Sequence, residues 1–205
     1  MKKVKKIYCL LNSWKTWGGY AALHLHGRQY KKNVLDECKY WCDCLQISQR
    51  MSNFQMWNYL LITKKEYVNL AKYRLSTSIL HKILAEIMFV FLKGESTLFL
   101  TTKKIGWNLF IQHGFSTVIS AKSIGDNCWI NQQVTIGWSF RGYPTIGNGV
   151  RITAGAKVIG DIYIGDNAII GANAVVTKNV SENAIVVGIP AKCIGNNDEH
   201  KLYIK

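Results

Sequence analysis

The stretch that decides the fold runs from Phe99 to Val176, and its centre reads I-G-D-N-C-W-I-N-Q-Q-V-T-I-G from Ile124 to Gly137. An aliphatic or aromatic residue opens each six-residue unit: Phe99, Ile105, Ile111, Val118, Ile124, Ile130, Ile136, Ile146, Ile152, Val158, Ile164, Ile170 and Val176. One extra residue falls between Ile111 and Val118, and four extra between Ile136 and Ile146. A second register, four residues after each opener, is mostly small or apolar: Leu109, Phe115, Cys128, Val134, Val150, Ala156, Ile162, Ala168, Ala174, Val180. Glycine often follows the opener, as after Ile105, Ile124, Ile146 and Ile170.

A period of six fits neither a helix nor a simple strand. Among fixed-period repeats it matches a hexapeptide β-helix. Three short strands close one triangular coil of about 18 residues, openers point inward, and the second register fills the corners. Glycine serves the tight turns. Coils stack at about 4.8 Å, so the thirteen units predict a little over four coils and a prism roughly 20 Å tall. A β-sandwich does not keep strict sixes over such a length.

The composition of the whole chain is that of a globular protein, 48% hydrophobic with a net charge of +14. The charge is uneven: residues 1–95 carry +10 and residues 96–205 carry +4. Such an excess favours anionic partners, among them nucleic acid, an anionic membrane face and a phosphorylated cofactor. No apolar run reaches the ~18–20 residues of a membrane span. The basic start (Lys2, Lys3, Lys5, Lys6) is followed by an apolar run, Ile7 to Leu11, too short for a signal peptide. The expected location is the cytoplasm.

Of the six cysteines, Cys128 falls at an inward corner and is expected to be an inert core thiol. Cys38, Cys42 and Cys44 cluster, with His24 and His26 upstream. Their spacing matches no common zinc pattern, so buried free thiols and no metal are expected.

Residues 1–95 read as an α-helical region, residues 96–195 as the β-helix and residues 196–205 as a polar tail. Apolar residues recur at helical spacing from Trp57 to Leu75, and Ser76 or Ser78 is placed to cap a helix from about Ile79 to Leu92. That helix is apolar over most of its surface, which predicts burial against the first coil or neighbouring subunits. Its basic flanks, Lys82 and Lys93, give the competing expectation of a membrane surface. After Val176 the pattern fades into a turn and a last strand, Ile185 to Val187.

The motifs I-G-D-N-C-W-I-N-Q-Q-V-T-I-G (124–137), P-T-I-G-N-G-V (144–150), I-I-G-A-N-A-V-V-T-K-N-V (169–180) and V-G-I-P-A-K (187–192) resemble those of the hexapeptide acyltransferases. Within that family the chain looks most like the serine acetyltransferase branch. The stretch F-I-Q-H-G-F-S-T-V-I-S (110–120) also resembles colanic-acid and capsule O-acetyltransferases. The resemblance implies a left-handed parallel β-helix, an acetyl-CoA donor with no metal, and a homotrimer.

His113 stands two residues after an opener, where a side chain projects outward. Transfer of an acetyl group from a thioester to a hydroxyl needs a base, and imidazole titrates in the useful range. With the match around it, His113 is the expected catalytic base. The family resemblance implies that backbone groups at Ala154 and Ala172 meet the pantetheine arm of coenzyme A. It implies equally that Thr177, Lys178 and Lys192 lie near the nucleotide phosphates. Gln112 and Arg141 are the candidate acceptor-binding residues.

Two departures from the serine enzymes stand out. They carry Asp where this chain has Gln112, and a histidine in the inserted loop that here contains Arg141. No Asp or Glu lies between Ser96 and Ala121 to orient the base. These departures set the main expectation: acetyl transfer to a sugar hydroxyl of a surface polysaccharide or its precursor. Serine O-acetylation is the alternative, and a non-catalytic scaffold a distant one. Peripheral contact with an anionic membrane or glycan, on the cytoplasmic face, extends this reading. No nucleic-acid partner is expected, since the repeat lacks an aromatic stacking platform on a basic groove.

Overall fold

Six α-helices form the first part of the chain: α1 (Lys3–Leu11), α2 (Trp14–Ala22), α3 (Arg28–Cys44), α4 (Asn53–Thr63), α5 (Lys65–Leu75) and α6 (Ile79–Met88). The computed structural model describes residues 3–47 and 51–197. It divides into two units, Met1–Ser96 and Thr97–Lys205.

Local chemistry sets the helix ends in the first unit. A capping box opens α4: the Gln55 backbone N–H donates to Ser52 Oγ, and the Ser52 N–H donates to Gln55 Oε1. Lys64 is extended (φ −127°) and separates α4 from α5, so the helical periodicity from Trp57 to Leu75 belongs to two helices. Ser78 caps α6 through the His81 N–H. Trp41, Trp57, Tyr67 and Phe89 are fully buried and meet largely edge to face.

The unit also buries a bidentate ion pair, Arg74 with Glu37, at 2.8 and 2.9 Å. Cys38 shares a hydrogen bond with Tyr67 Oη at 2.8 Å, and burial pushes its thiol pKa up. His24 instead contacts Lys31, and His26 contacts Ala22 and Thr77. Among the described residues no three such groups gather as a metal site. On the apolar helix α6, Ala85 is buried, whereas Ile79, Leu80, Ile83 and Ile87 are exposed in the single chain.

The second unit is a left-handed parallel β-helix. Its strands are β1 (Leu98–Leu100), β2 (Phe110–Ile111), β3 (Thr117–Ile119), β4 (Ser123–Ile124), β5 (Trp129–Ile130), β6 (Thr135–Gly137) and β7 (Thr145–Ile146). They continue through β8 (Arg151–Ile152), β9 (Lys157–Ile159), β10 (Tyr163–Ile164), β11 (Ile169–Ile170), β12 (Val175–Val176), β13 (Ala184–Val187) and β14 (Lys192–Asn196). One face stacks β1-β3-β6-β9-β12, the second β4-β7-β10, and the third β2-β5-β8-β11-β13 with β14 added antiparallel. The stack holds about five coils, more than the repeat count predicts, because Val180 and β13 extend it past the last opener. The β14 pairing lies beyond the repeat and left no periodic signal.

The inward column runs Ile130, Ile152, Ile170, Val186 on the third face, all buried. On the first face the six-residue count is wrong by one in two strands. Val118 pairs with Thr135 and Ile119 with Ile136, so Ile119, not Val118, enters the core. Leu100 pairs with Ile119, and Phe99 is 55% exposed. A shift of one residue exchanges the two faces of a strand. In both strands the corner that follows is one residue short, five from Leu100 to Ile105 and five from Ile119 to Ile124, and before β3 the corner at residues 112–116 takes two extra residues rather than one. Phe115 is therefore exposed, and Thr117 takes the buried position expected of it.

The other corners are regular. Asn108, Asn127, Asn167 and Asn183 are left-handed (φ 58–59°), and Gly149 (φ 64°) fills the same position. At Gly165 the neighbouring coil forbids any side chain, since a Cβ would stand 2.3 Å from the Glu182 nitrogen.

Candidate active site

A triangular solenoid has three edges, and the sequence-predicted site residues divide among them. His113 closes β2 and opens the enlarged corner between the third and first faces. Its backbone is left-handed (φ 60°), as is that of Ser116 (φ 51°), and the Phe115 N–H turns back onto the His113 carbonyl. This geometry lifts the imidazole off the stack, and His113 is exposed. The corner is thus a bulge that re-aims one side chain.

The pairing Ile111–Ile130–Ile152–Ile170–Val186 puts the residues two positions further on along the same edge. Gln132, Ala154, Ala172 and Gly188 therefore follow His113, one per coil. Ala154 is half-buried and Ala172 exposed, and the Asn173 N–H donates to the Ala154 carbonyl at 2.9 Å. Lys192 begins β14 opposite Val187 and is exposed at the far end of this edge. Five strand spacings separate β14 from β2, which leads into His113, about 24 Å.

Arg141, Thr177 and Lys178 lie on a different edge, between the first and second faces. The inserted loop there is a tight turn in which Ser139 and Gly142 exchange backbone hydrogen bonds at 2.9 and 3.0 Å. Arg141 sits over the Phe140 ring, 5.3 Å from its centroid. Trp138, Phe140 and Tyr143 are all exposed around it. The repeat reading passed over these aromatics because they occupy no repeat position. Within one chain, then, His113, Gln112, Ala154, Ala172 and Lys192 share an edge, and Arg141, Thr177 and Lys178 stand apart from it.

Gln112 is held more firmly than its sequence suggests. Its Oε1 accepts from Trp129 Nε1 at 3.3 Å and from Asn131 Nδ2 at 3.2 Å. Trp129 lies between Phe110, 4.7 Å between ring centroids, and Arg151, 5.3 Å above its ring. Trp129 and Asn131 flank the opener Ile130, so their outward direction was legible; their grip on Gln112 needed the coil register.

Cys128 offers no nucleophile. It is buried, its Sγ donates to the Gly147 carbonyl at 3.1 Å, and burial pushes its thiol up to about 12.

Residues 143–178 match the family model described as "Bacterial transferase hexapeptide (six repeats)". The chain is 45% identical over 96 residues to a serine acetyltransferase of Synechococcus elongatus, covering 44% of this chain and 39% of the relative. It is 49% identical over 96 residues to a serine acetyltransferase of Staphylococcus aureus strain Mu50, covering 44% and 45%. The matches thus span less than half the length of these relatives. A solved structure entitled "Serine Acetyltransferase- Complex with CoA" shares the fold, with a TM-score of 0.54 and 24% identity over 86% of this chain and 83% of that one.

These relatives overturn the expectation of a sugar acceptor. It rested on two positions, Gln112 and the loop around Arg141, whereas the identity extends over 96 residues and leads to proteins named for serine. Two substituted side chains change how an acceptor is held without setting which acceptor it is.

Proposed function

We propose that the chain is an acetyl-CoA-dependent serine O-acetyltransferase, the activity that feeds cysteine biosynthesis. The observation that carries this reading is the 45–49% identity to serine acetyltransferases. The His113 edge supports it. An exposed imidazole stands at one end, Ala154, Ala172 and Gly188 lie along it, and a lysine lies about 24 Å away. An extended pantetheine arm suits that line, with the thioester at His113 and a phosphate at Lys192.

The transfer is direct. The His113 imidazole takes the proton of the serine hydroxyl as its oxygen attacks the thioester carbonyl carbon. Backbone N–H groups stabilise the tetrahedral oxyanion. The C–S bond then breaks, and the imidazolium returns the proton to the departing thiolate. O-acetylserine and coenzyme A leave, and no acyl-enzyme forms. In a homotrimer the Arg141 and Lys178 edge of one copy would stand against the His113 edge of the next. That arrangement would reunite the two groups of site residues.

The test is thiol release from acetyl-CoA with serine, with O-acetylserine identified by mass spectrometry. His113→Ala is expected to lower kcat by about 10²–10⁴-fold with little change in KM for acetyl-CoA. A variant that keeps most of its activity would remove His113 from the mechanism.

A further inference from the structure

Next to His113 the chain carries a neutral amide whose direction is fixed. Indole nitrogen only donates, so the Gln112 atom that meets Trp129 Nε1 must be its oxygen. Asn131 Nδ2 donates to the same oxygen. The Gln112 amide nitrogen has no hydrogen-bond partner among the described residues, and its two N–H donors are left for a ligand at His113. The support beneath is rigid, because Trp129 is packed between Phe110 and Arg151 across three coils.

The charge around this edge has one sign. The described β-helix contains four acids, Asp126, Asp161, Asp166 and Glu182, and each lies at one of the other two edges. Asp126 and Asp166 are moreover engaged by the backbone N–H groups of Trp107 and Asn148, at 2.7 and 2.8 Å. Arg151 and Lys157 flank the His113 edge on the two adjoining faces, Arg151 over the Trp129 ring and Lys157 donating to the Gln133 carbonyl. A donor amide in a positive field suits a carboxylate. Within one chain, an ammonium group finds no carboxylate along this edge among the described residues.

We propose that Gln112 binds the carboxylate of the acceptor, and that the site takes short hydroxy acids as a class, with the amino group of serine dispensable. The inference rests on the acetyl-transfer reading above. The chemistry is unchanged for an acceptor such as 3-hydroxypropanoate. Its hydroxyl oxygen bonds to the acetyl carbon, the C–S bond breaks, and His113 carries the hydroxyl proton to the thiolate.

The experiment compares kcat/KM for L-serine, 3-hydroxypropanoate and L-serinamide on the full chain at saturating acetyl-CoA. The expected result has 3-hydroxypropanoate within about tenfold of serine, and serinamide lower by about 10- to 150-fold, the worth of a charge-assisted hydrogen bond. Gln112→Leu should raise KM for both acids by a similar factor, leave KM for acetyl-CoA alone, and change kcat little. Should that variant fold poorly, the wild-type substrate panel still decides. Serine turnover with 3-hydroxypropanoate more than a hundredfold worse would overturn the inference and leave the serine reading standing. Activity on none of the three would sink both. Activity on 3-hydroxypropanoate without serine would uphold the inference and replace serine as the acceptor.

Discussion

Whether His113 stands at the corner described above depends on one register, and two alanine substitutions test it. Ile119 is fully buried and pairs with Ile136 in the core column, whereas its neighbour Val118 is half-buried and faces outward. Ile119→Ala removes core methyl groups and leaves a cavity, at a cost of about 2–5 kcal/mol. Val118→Ala gives up part of the burial of two methyl groups, about 1 kcal/mol. For a chain of this length each kcal/mol lowers the melting temperature by about 2–4 °C. The expected falls are then about 4–20 °C for Ile119→Ala and about 2–4 °C for Val118→Ala, followed by circular dichroism. The strict six-residue count requires the reverse order. A larger loss at Val118 would restore that count. It would also take one residue out of the 112–116 corner and redirect His113.

That register marks the limit of what sequence alone conveys here. The β-helix was legible because its core columns recur: Ile130, Ile136, Ile146, Ile152, Ile164 and Ile170 are all buried as the period requires. The count failed at Phe99 and Val118, where apolar residues stand side by side and either of two neighbours can open a unit, and Phe115 lost its corner position to the same shift. Pairing across coils decides between them, and pairing is not local information. The site was half legible. The family motif points to His113 and the alanine pair as candidates, and spacing shows that the alanines stack. That Gln112 is oriented by Trp129, 17 positions later, follows only from the coil register. The α6 surface shows the same limit from the other side, since an apolar helix can be assigned from sequence while what covers it cannot. The acceptor was misjudged because two positions, Gln112 and the loop around Arg141, were given more weight than an identity to serine acetyltransferases that extends over 96 residues.

Two further outcomes concern the donor and the core. Lys192→Ala should weaken coenzyme A by about 10- to 150-fold and a coenzyme lacking the 3′-phosphate much less, as isothermal titration would measure; equal weakening of both would show that Lys192 does not meet that phosphate. The last concerns Cys128, whose thiol is pushed from 9.0 to about 12 by burial. A group whose pKa is raised in the folded state stabilises that state in full below its unfolded pKa. The contribution is lost as pH climbs through the folded value. Each such thiol should therefore cost about 1.4 kcal/mol of stability per pH unit between about 9 and 12. Cys42, also raised to about 12, adds a second slope of the same sign. Denaturant unfolding across that interval should show Cys128→Ala losing stability less steeply than the parent by one such slope, while acetyl transfer at neutral pH persists. An unchanged slope would mean that the thiol ionises where it sits, and a loss of transfer would reopen the question of an acyl-cysteine.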